Sequence, residues 1–275
     1  MTVTTVVVTR DRWPDLAWSL PRHRDPVILV DNGSVDDTPR RVREHFGAVR
    51  VIELGANRGA VARNIGVEAA TTPYVAFADD DSWWAPGALD EAVRLLDEHP
   101  RLGLVAARVL VGDDQRLDPT CTAMAAAPLG RDPDLPGPHV LGFVACGAVV
   151  RRSAFLAAGG FDPVVVFPGE EERLALDLAA AGWALAYAAG VVAHHHPSTS
   201  RATTLRRRAL EERNRMLTTL LRRPWPVVAT TALDQLRGDT GARLGLGWAL
   251  LRSPLALRRR RRLPASVEAA RARLG

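Results

Sequence analysis

Four short β-rich runs, Val3 to Thr9, Val27 to Val30, Val49 to Leu54 and Tyr74 to Ala78, recur through the first hundred residues, and each gap can hold a crossover helix. This alternation predicts an α/β chain with a doubly wound, mostly parallel sheet, helices on both faces and ligands at the carboxyl ends of the strands. The second gap opens with Asp36, Asp37, Thr38 and Pro39, an acidic start with Pro in the first turn that suits a helix N-terminus. The fourth run ends abruptly in Asp79, Asp80 and Asp81. Adjacent carboxylates repel and cannot be buried unpaired, so at the end of a buried strand they point to a hard cation. The competing reading is an acidic cap before Pro86, since Asp at strand ends favours turns. Two upstream segments fit a metal-carried polyphosphate: VILVDNGS, ending at Asp31 to Ser34, and NRGAVARNIG, from Asn57 to Gly66. Together the three segments read as a nucleotide-sugar site.

A chain of 275 residues, 47% hydrophobic, can bury a full α/β core, so one principal domain with an appendage is expected. All 36 basic residues are Arg, a bias of GC-rich codons from which no mechanism follows. Cys121 and Cys146 have no metal-ligand spacing and form no disulfide framework, so a reducing cytosol is the expected compartment. The start of the chain lacks a basic n-region, and its apolar run Val6 to Val8 is too short for a signal or membrane helix. Charge is unevenly placed: residues 1–200 hold 18 Arg and 26 acidic residues, whereas residues 201–275 hold 18 Arg and 5. A basic appendage of this kind meets an anionic partner. No nucleic-acid module accompanies the arginines, so no nucleic acid is expected. That leaves an anionic membrane surface reached through Arg258 to Arg262, which would make a cytoplasmic protein peripheral at the inner face of the membrane, or the acidic body of the protein itself.

Downstream, the pattern predicts a helix over Pro86 to His99, a strand over Leu102 to Val111, and a long loop over Gly112 to His139. A strand over Gly142 to Val150, a short helix near Ser153, a helix over Glu170 to Ala181 and a strand over Trp183 to Ala193 follow. Three histidines, His194 to His196, close that strand. Beyond Arg201 the pattern turns helical and basic, broken by Pro at Arg223 to Pro226. The expected division is residues 1–200 as the catalytic domain and 201–275 as a basic helical extension.

VVVTR, VDNGSVDDT, NRGAVARNIG, FADDDSWW, GEEERLALDLAAAGW and VVAHHH, in this order, resemble a family 2 glycosyltransferase of the GT-A fold from about Thr2 to about Pro197. The resemblance implies inverting transfer of a sugar from a nucleotide-diphosphate donor, UDP or dTDP, to an acceptor hydroxyl on a glycan, a lipid-linked molecule or a small molecule. It implies Mg²⁺ or Mn²⁺, with Asp81 as the direct ligand and Asp79 placed toward ribose and metal. Asp31 matches the position that reads the base, with Thr9 and Arg10 lining the same pocket; Asn57, Arg63 and Asp80 complete the nucleotide contacts. Alone, Asp31 reads first as the acceptor of an Asn-Gly turn, and its position after a buried strand is what points to binding; Arg63 alone reads as a surface arginine on an amphipathic helix.

The family's general base aligns with Glu170 and Glu171, of which Glu171 is the expected base. Glu in a first helical turn is also favoured by the macrodipole, so a purely structural role competes, and Glu172 is a possible substitute. The segment departs from the family pattern in carrying Arg173 and Asp177, four apart on one helical face, an ion pair worth little if exposed. Strand alternation puts His194 and His196 on one face and His195 on the other. The resemblance favours His194, then His196, as a further metal or diphosphate contact. A zinc hydrolase is not supported, because no metal-site spacing accompanies the triplet. The alternatives are a non-catalytic nucleotide-sugar binding or assembly protein, motivated by the altered Glu-x-Arg segment, and a sugar-phosphate nucleotidyltransferase, whose Gly-rich phosphate loop is missing after the first strand.

Overall fold

The computed structural model describes residues 2–24, 26–197 and 204–275. The expected boundary at residues 200 and 201 lies outside the described residues. The first half alternates as the apolar runs require: β1 (Val3–Thr9), α1 (Trp13–Ser19), β2 (Val27–Asp31), α2 (Thr38–His45), β3 (Arg50–Glu53), α3 (Ala62–Ala69) and β4 (Tyr74–Asp79). These four strands pair in parallel in the order β3-β2-β1-β4. Both faces are covered, because successive side chains diverge. Val6, Ile28, Val30 and Phe77 enter the main core with Ala62 and Val67 of α3, while Val7, Leu29 and Ala78 pack with Leu16, Leu20 and Val42 on the other side. Gly66 lets α3 approach β1; a Cβ there would stand 2.4 Å from Val6 Cγ1.

The second half completes a mixed sheet. β5 (Ser82–Trp84), α4 (Ala88–Glu98), β6 (Leu102–Val111), β7 (Arg116–Leu117), α5 (Pro119–Ala125), β8 (Ala148–Arg151), α6 (Arg152–Ala158), α7 (Glu170–Ala180) and β9 (Ala184–His195) follow in sequence. β8 runs antiparallel between β4 and β6, β9 parallel to β6, and β5 antiparallel along the end of β9. Two expectations change. The Gly112 to His139 stretch is not wholly loop, since Asp118 caps α5 by accepting from Thr120 N at 2.8 Å with Pro119 in the first turn. The strand expected from Gly142 starts only at Ala148, because a 3₁₀ turn over Ala145–Gly147 presses Gly147 onto Val109.

Beyond the body lie α8 (Thr204–Arg222), α9 (Trp225–Arg237), α10 (Thr240–Arg258) and α11 (Ala265–Ala272). The Pro224 break separates α8 from α9 as expected. Among the described residues, no helix is long and apolar enough to cross a membrane. Met216, Leu217, Leu220, Leu221, Val228, Ala249 and Ala256 close a second core around Val164 and Val165 of the body. Charge joins the two parts. Arg173, whose pair with Asp177 would be worth little if exposed, is buried between Asp162, at 3.2 Å, and Asp177, which in turn holds Arg222 of α8 at 2.7 Å. Burial pulls the Arg173 guanidinium down to about 10, although Asp162 opposes the shift. Arg271 of α11 reaches Glu172 of α7 at 2.5 Å, while Arg223 and Glu268 pair at 2.9 Å within the extension.

The Arg258 to Arg262 run is therefore not a free polycation. Arg259 reaches Asp162 at 3.5 Å, and Arg260 lies 4.2 Å over the Trp225 ring while donating to Arg223 O at 2.6 Å. α10 sits close on α8 because Gly245 has no side chain: a Cβ would meet Glu212 Cβ at 2.6 Å and Ala209 O at 2.7 Å. Gly245→Val should destabilise the chain by about 1–3 kcal/mol through overpacking. An unchanged denaturant midpoint would show that the two helices do not sit this close.

Candidate active site

Parallel strands deliver their last residues to one edge, and that edge collects the polar groups. β1 ends at Thr9 opposite Asp31 of β2, and Val8 stands opposite Asp79 of β4. Asp31, 2% exposed, accepts from Ser34 N at 3.1 Å and from the Ser34 hydroxyl, so it organises its own turn as well as facing the edge. The same hydroxyl accepts from Asp11 N at 2.9 Å, which knits the ends of β1 and β2 together. Asn32, which sequence reasoning missed, holds the second loop: its Oδ1 accepts from Arg58 N at 2.7 Å and its Nδ2 donates to Gly59 O at 3.2 Å. Asn57 is exposed on that loop and accepts from Gly59 N at 2.8 Å, while Arg10 is exposed beside Asp11 at 3.5 Å.

Arg63 lies at the centre of the cluster. It is 8% exposed and reaches Asp79 at 2.6 Å and Glu170 at 3.6 Å, joining the end of β4 to the start of α7. It is therefore not a surface arginine. Burial alone would lower its pKa, but Asp79, Glu170 and Glu171 outweigh burial and raise it. Glu170 is 1% exposed, and burial raises its carboxyl despite Arg63. The Glu171 carboxyl is pushed up to about 8, by burial first and then by the charge of Glu170.

The three aspartates have separate environments. Asp79 meets Arg63. The Asp80 carboxyl is pushed up to about 8 by burial and then by Asp81 and Asp79, while Thr9 Oγ1 donates to it at 3.1 Å. Asp81 Oδ1 lies 3.3 Å from His195 Nε2, and Asp81 O accepts from His196 N at 2.8 Å. Burial would lower the His195 pKa, but Asp81 raises it.

The histidine preference changes on the structure. Alternation holds, but the face toward the carboxylates belongs to His195. His194 stands opposite Trp83 across the β5–β9 pair and stacks on its ring at 5.0 Å, while His196 reaches Asp113 at 2.9 Å. The choice between the two faces is made by the pairing of β5, whose register was not visible in the sequence. Cys146 was also missed. Its thiol, Asp79 and His195 each offer a ligand atom within 4.8 Å of the others, because the 3₁₀ turn brings residue 146 beneath β4. A hollow of about 390 Å³ beside Trp83 is lined by Arg22, Trp84 and Asp90 among others and by none of Asp31, Asp79, Asp80, Asp81, Glu170 and Glu171.

Residues 10–157 match the family model described as glycosyl transferase family 2. The chain belongs to that family. An N-acetylglucosaminyl-diphospho-decaprenol L-rhamnosyltransferase of Mycobacterium tuberculosis is 30% identical over 195 residues, covering 58% of this chain and 63% of the relative. A pre-mycofactocin glycosyltransferase of the same organism is 33% identical over 177 residues, covering 61% of this chain and 37% of its own length. The chain thus spans less than two thirds of either relative. Among solved structures, the mannosyltransferase PcManGT from Pyrobaculum calidifontis in complex with GDP-Man and Mn²⁺ superposes with a TM-score of 0.56 at 20% identity, covering 98% of this chain and 74% of that one. Staphylococcus aureus TarS 1-349 in complex with UDP-GlcNAc gives 0.60 at 13% identity, with 99% and 92% coverage. These likenesses establish a fold similar to GT-A structures.

The Asp80 proton makes one measurable consequence. Its pKa is raised from 3.8 to about 8, so ionisation is harder in the folded chain, and stability present at low pH is lost as pH rises through about 8. Asp80→Asn keeps an acceptor for Thr9 and removes the titration. In chelator, its unfolding midpoint should fall less than the parent's between about pH 4 and 8; equal slopes would overturn the Asp80 assignment.

Proposed function

We propose that this chain transfers a sugar from a nucleotide-diphosphate donor to an acceptor hydroxyl, with inversion at the anomeric carbon and with a divalent cation. The observation that carries the proposal is Arg63, which draws the Asp79 carboxylate at the nucleotide edge and the Glu170–Glu171 pair of α7 into one cluster. Residues 1–200 act as the catalytic unit and 201–275 as a helical extension.

The donor set fits a cation. Asp79 supplies a hard oxygen within 4.8 Å of the Cys146 thiol and a His195 ring nitrogen, and Asp81 stands beside His195; with softer donors at hand the set suits Mn²⁺ before Mg²⁺, whose sites are built from oxygen. The Mn²⁺ in the PcManGT complex supports this reading. When bound, the cation would offset the charge of the departing diphosphate. Asp79 and Asp81 would hold it, with the deprotonated His195 ring, 3.3 Å from Asp81, as a further donor.

Donor binding falls to the strand ends. Thr9, Arg10, Asp31 and Asn57 would surround the nucleoside, with Asp31 accepting from a pyrimidine N3–H, hence UDP or dTDP. The neighbours named with GDP-Man and UDP-GlcNAc support a nucleotide sugar as a class. Glu171 would take the acceptor proton as the new C1–O bond forms and the C1–diphosphate bond breaks. The curated relatives' names attach sugar to different molecules, so the acceptor is assigned as hydroxyl-bearing, with the decaprenol-linked case favouring a lipid-linked one. The non-catalytic alternative rested on Arg173 and Asp177, which serve in packing against Asp162 and Arg222; family membership sets aside the nucleotidyltransferase.

Two substitutions test the reading in donor-turnover assays. Asp81→Ala should lower transfer by about two to four orders of magnitude, as loss of a main electrostatic stabiliser does. Full activity of that variant, or of the parent in EDTA, would remove the cation from the proposal. Glu171 must be ionised to act, so transfer should climb with pH until about 8 and then level. Glu171→Gln should lose about 10²- to 10⁴-fold in rate together with that rising limb, at little change in donor affinity. A mild effect there and a severe one in Glu170→Gln would move the base by one residue.

A further inference from the structure

α10 is built inside out for a helix on a water-facing surface. Its buried positions are Gly241, Ala242, Gly245, Ala249 and Ala256, small residues that allow close approach to α8. Its large apolar residues project the other way: Leu244, Leu250, Leu251, Leu255 and Leu257 are all exposed, Leu251 to 82% and Leu250 to 62%. A surface helix normally turns such residues inward. On α9, Trp225, Leu233 and Leu236 are exposed as well.

Charge selects what covers this face. From Thr240 to Val267 there are 7 Arg and no Asp or Glu. Arg243, Arg258, Arg261 and Arg262 are exposed around the leucines. A second copy of the chain would bring two arginine fringes together with only the exposed Asp234 of α9 and Asp239 at the start of α10 to answer them. Anionic lipid headgroups answer both features at once, taking leucines into the acyl boundary and arginines at the phosphate level. The helix would lie in the plane of the bilayer, since its other face is held by α8 and it is not apolar enough to span.

We propose that the outward face of α10, with the exposed apolar residues of α9, docks on an anionic lipid bilayer. This goes beyond the catalytic reading and does not depend on it. The test is flotation of the full chain with vesicles of phosphatidylcholine alone and of an equimolar mixture with phosphatidylglycerol, at low and high salt. The parent should float with the mixed vesicles, be released by salt, and show little enrichment on the neutral ones. Leu251→Glu should weaken binding by about tenfold or more, the scale of one buried leucine. Replacing Arg258, Arg261 and Arg262 by Gln should weaken it by about a hundredfold. All these positions are solvent-facing, so thermal midpoints should stay at the parent value, and the arginine variant tests the idea even if Leu251→Glu does not fold. Failure of the parent to prefer anionic vesicles would overturn the proposal. So would a stable dimer in sedimentation that Leu251→Glu dissociates while vesicles capture nothing. Donor turnover is read separately, so a membrane-binding failure is distinguishable from a catalytic one.

Discussion

Arg63 is the charge on which the rest of the site depends. Asp79, Glu170 and Glu171 approach one another in a desolvated edge of the sheet, where like charges cannot all remain ionised without a counter-charge. A buried guanidinium at 2.6 Å from Asp79 and 3.6 Å from Glu170 supplies it. Its position follows from local packing. α3 can press on β1 only because Gly66 leaves room for Val6, and that approach sets Arg63, one turn earlier, over the end of β4. A family motif spread over more than a hundred residues is thereby reduced to one buried cation and the carboxylates that it gathers.

The sequence revealed the parallel half of the fold well, because β1, β2 and β4 are continuous apolar runs that can only be central strands, and their ends name the site. It was less informative where pairing partners decide the outcome. The histidine triplet illustrates this: period-2 alternation correctly separates His195 from its neighbours, but which face turns to Asp81 depends on β5 pairing Ser82 with His195 and Trp83 with His194. Cys146 was hidden for a similar reason, since an apolar run that reads as continuous strand is interrupted by a 3₁₀ turn. By contrast, α5 was legible and overlooked: Asp118 followed by Pro119 offers an N-cap acceptor and a first-turn proline, although Asp132-Pro133 and Asp162-Pro163 lead only into turns.

Arg173 and Asp177 show how a departure from a family pattern acquires a structural reason. Read on a helix surface, the pair is worth little. Buried against Asp162 and Arg222, it is part of a network in which removing any one member would strand a charge in a dry interface. The departure at residue 177 has a partner outside the body: α8 brings Arg222 to 2.7 Å from that acid.

α7 is therefore a shared element. Its first turn presents Glu170 and Glu171 to the site, and its middle grips α8 through Asp177. α8 also steadies the segment before that first turn, because the Asn214 amide donates to Val166 O and, at 2.6 Å, to Pro168 O. The first turn of α7 is thus held from two sides, by Arg63 of α3 through Glu170 and by the C-terminal helices. α10 packs on α8 through Gly245, so any surface that orients α10 also orients α7 through a single intervening helix. An acceptor carried in a lipid bilayer would then meet the site at a fixed angle set by the extension. On that proposal the C-terminal helices would act on the reaction through geometry alone, without contributing a side chain to the carboxylate cluster.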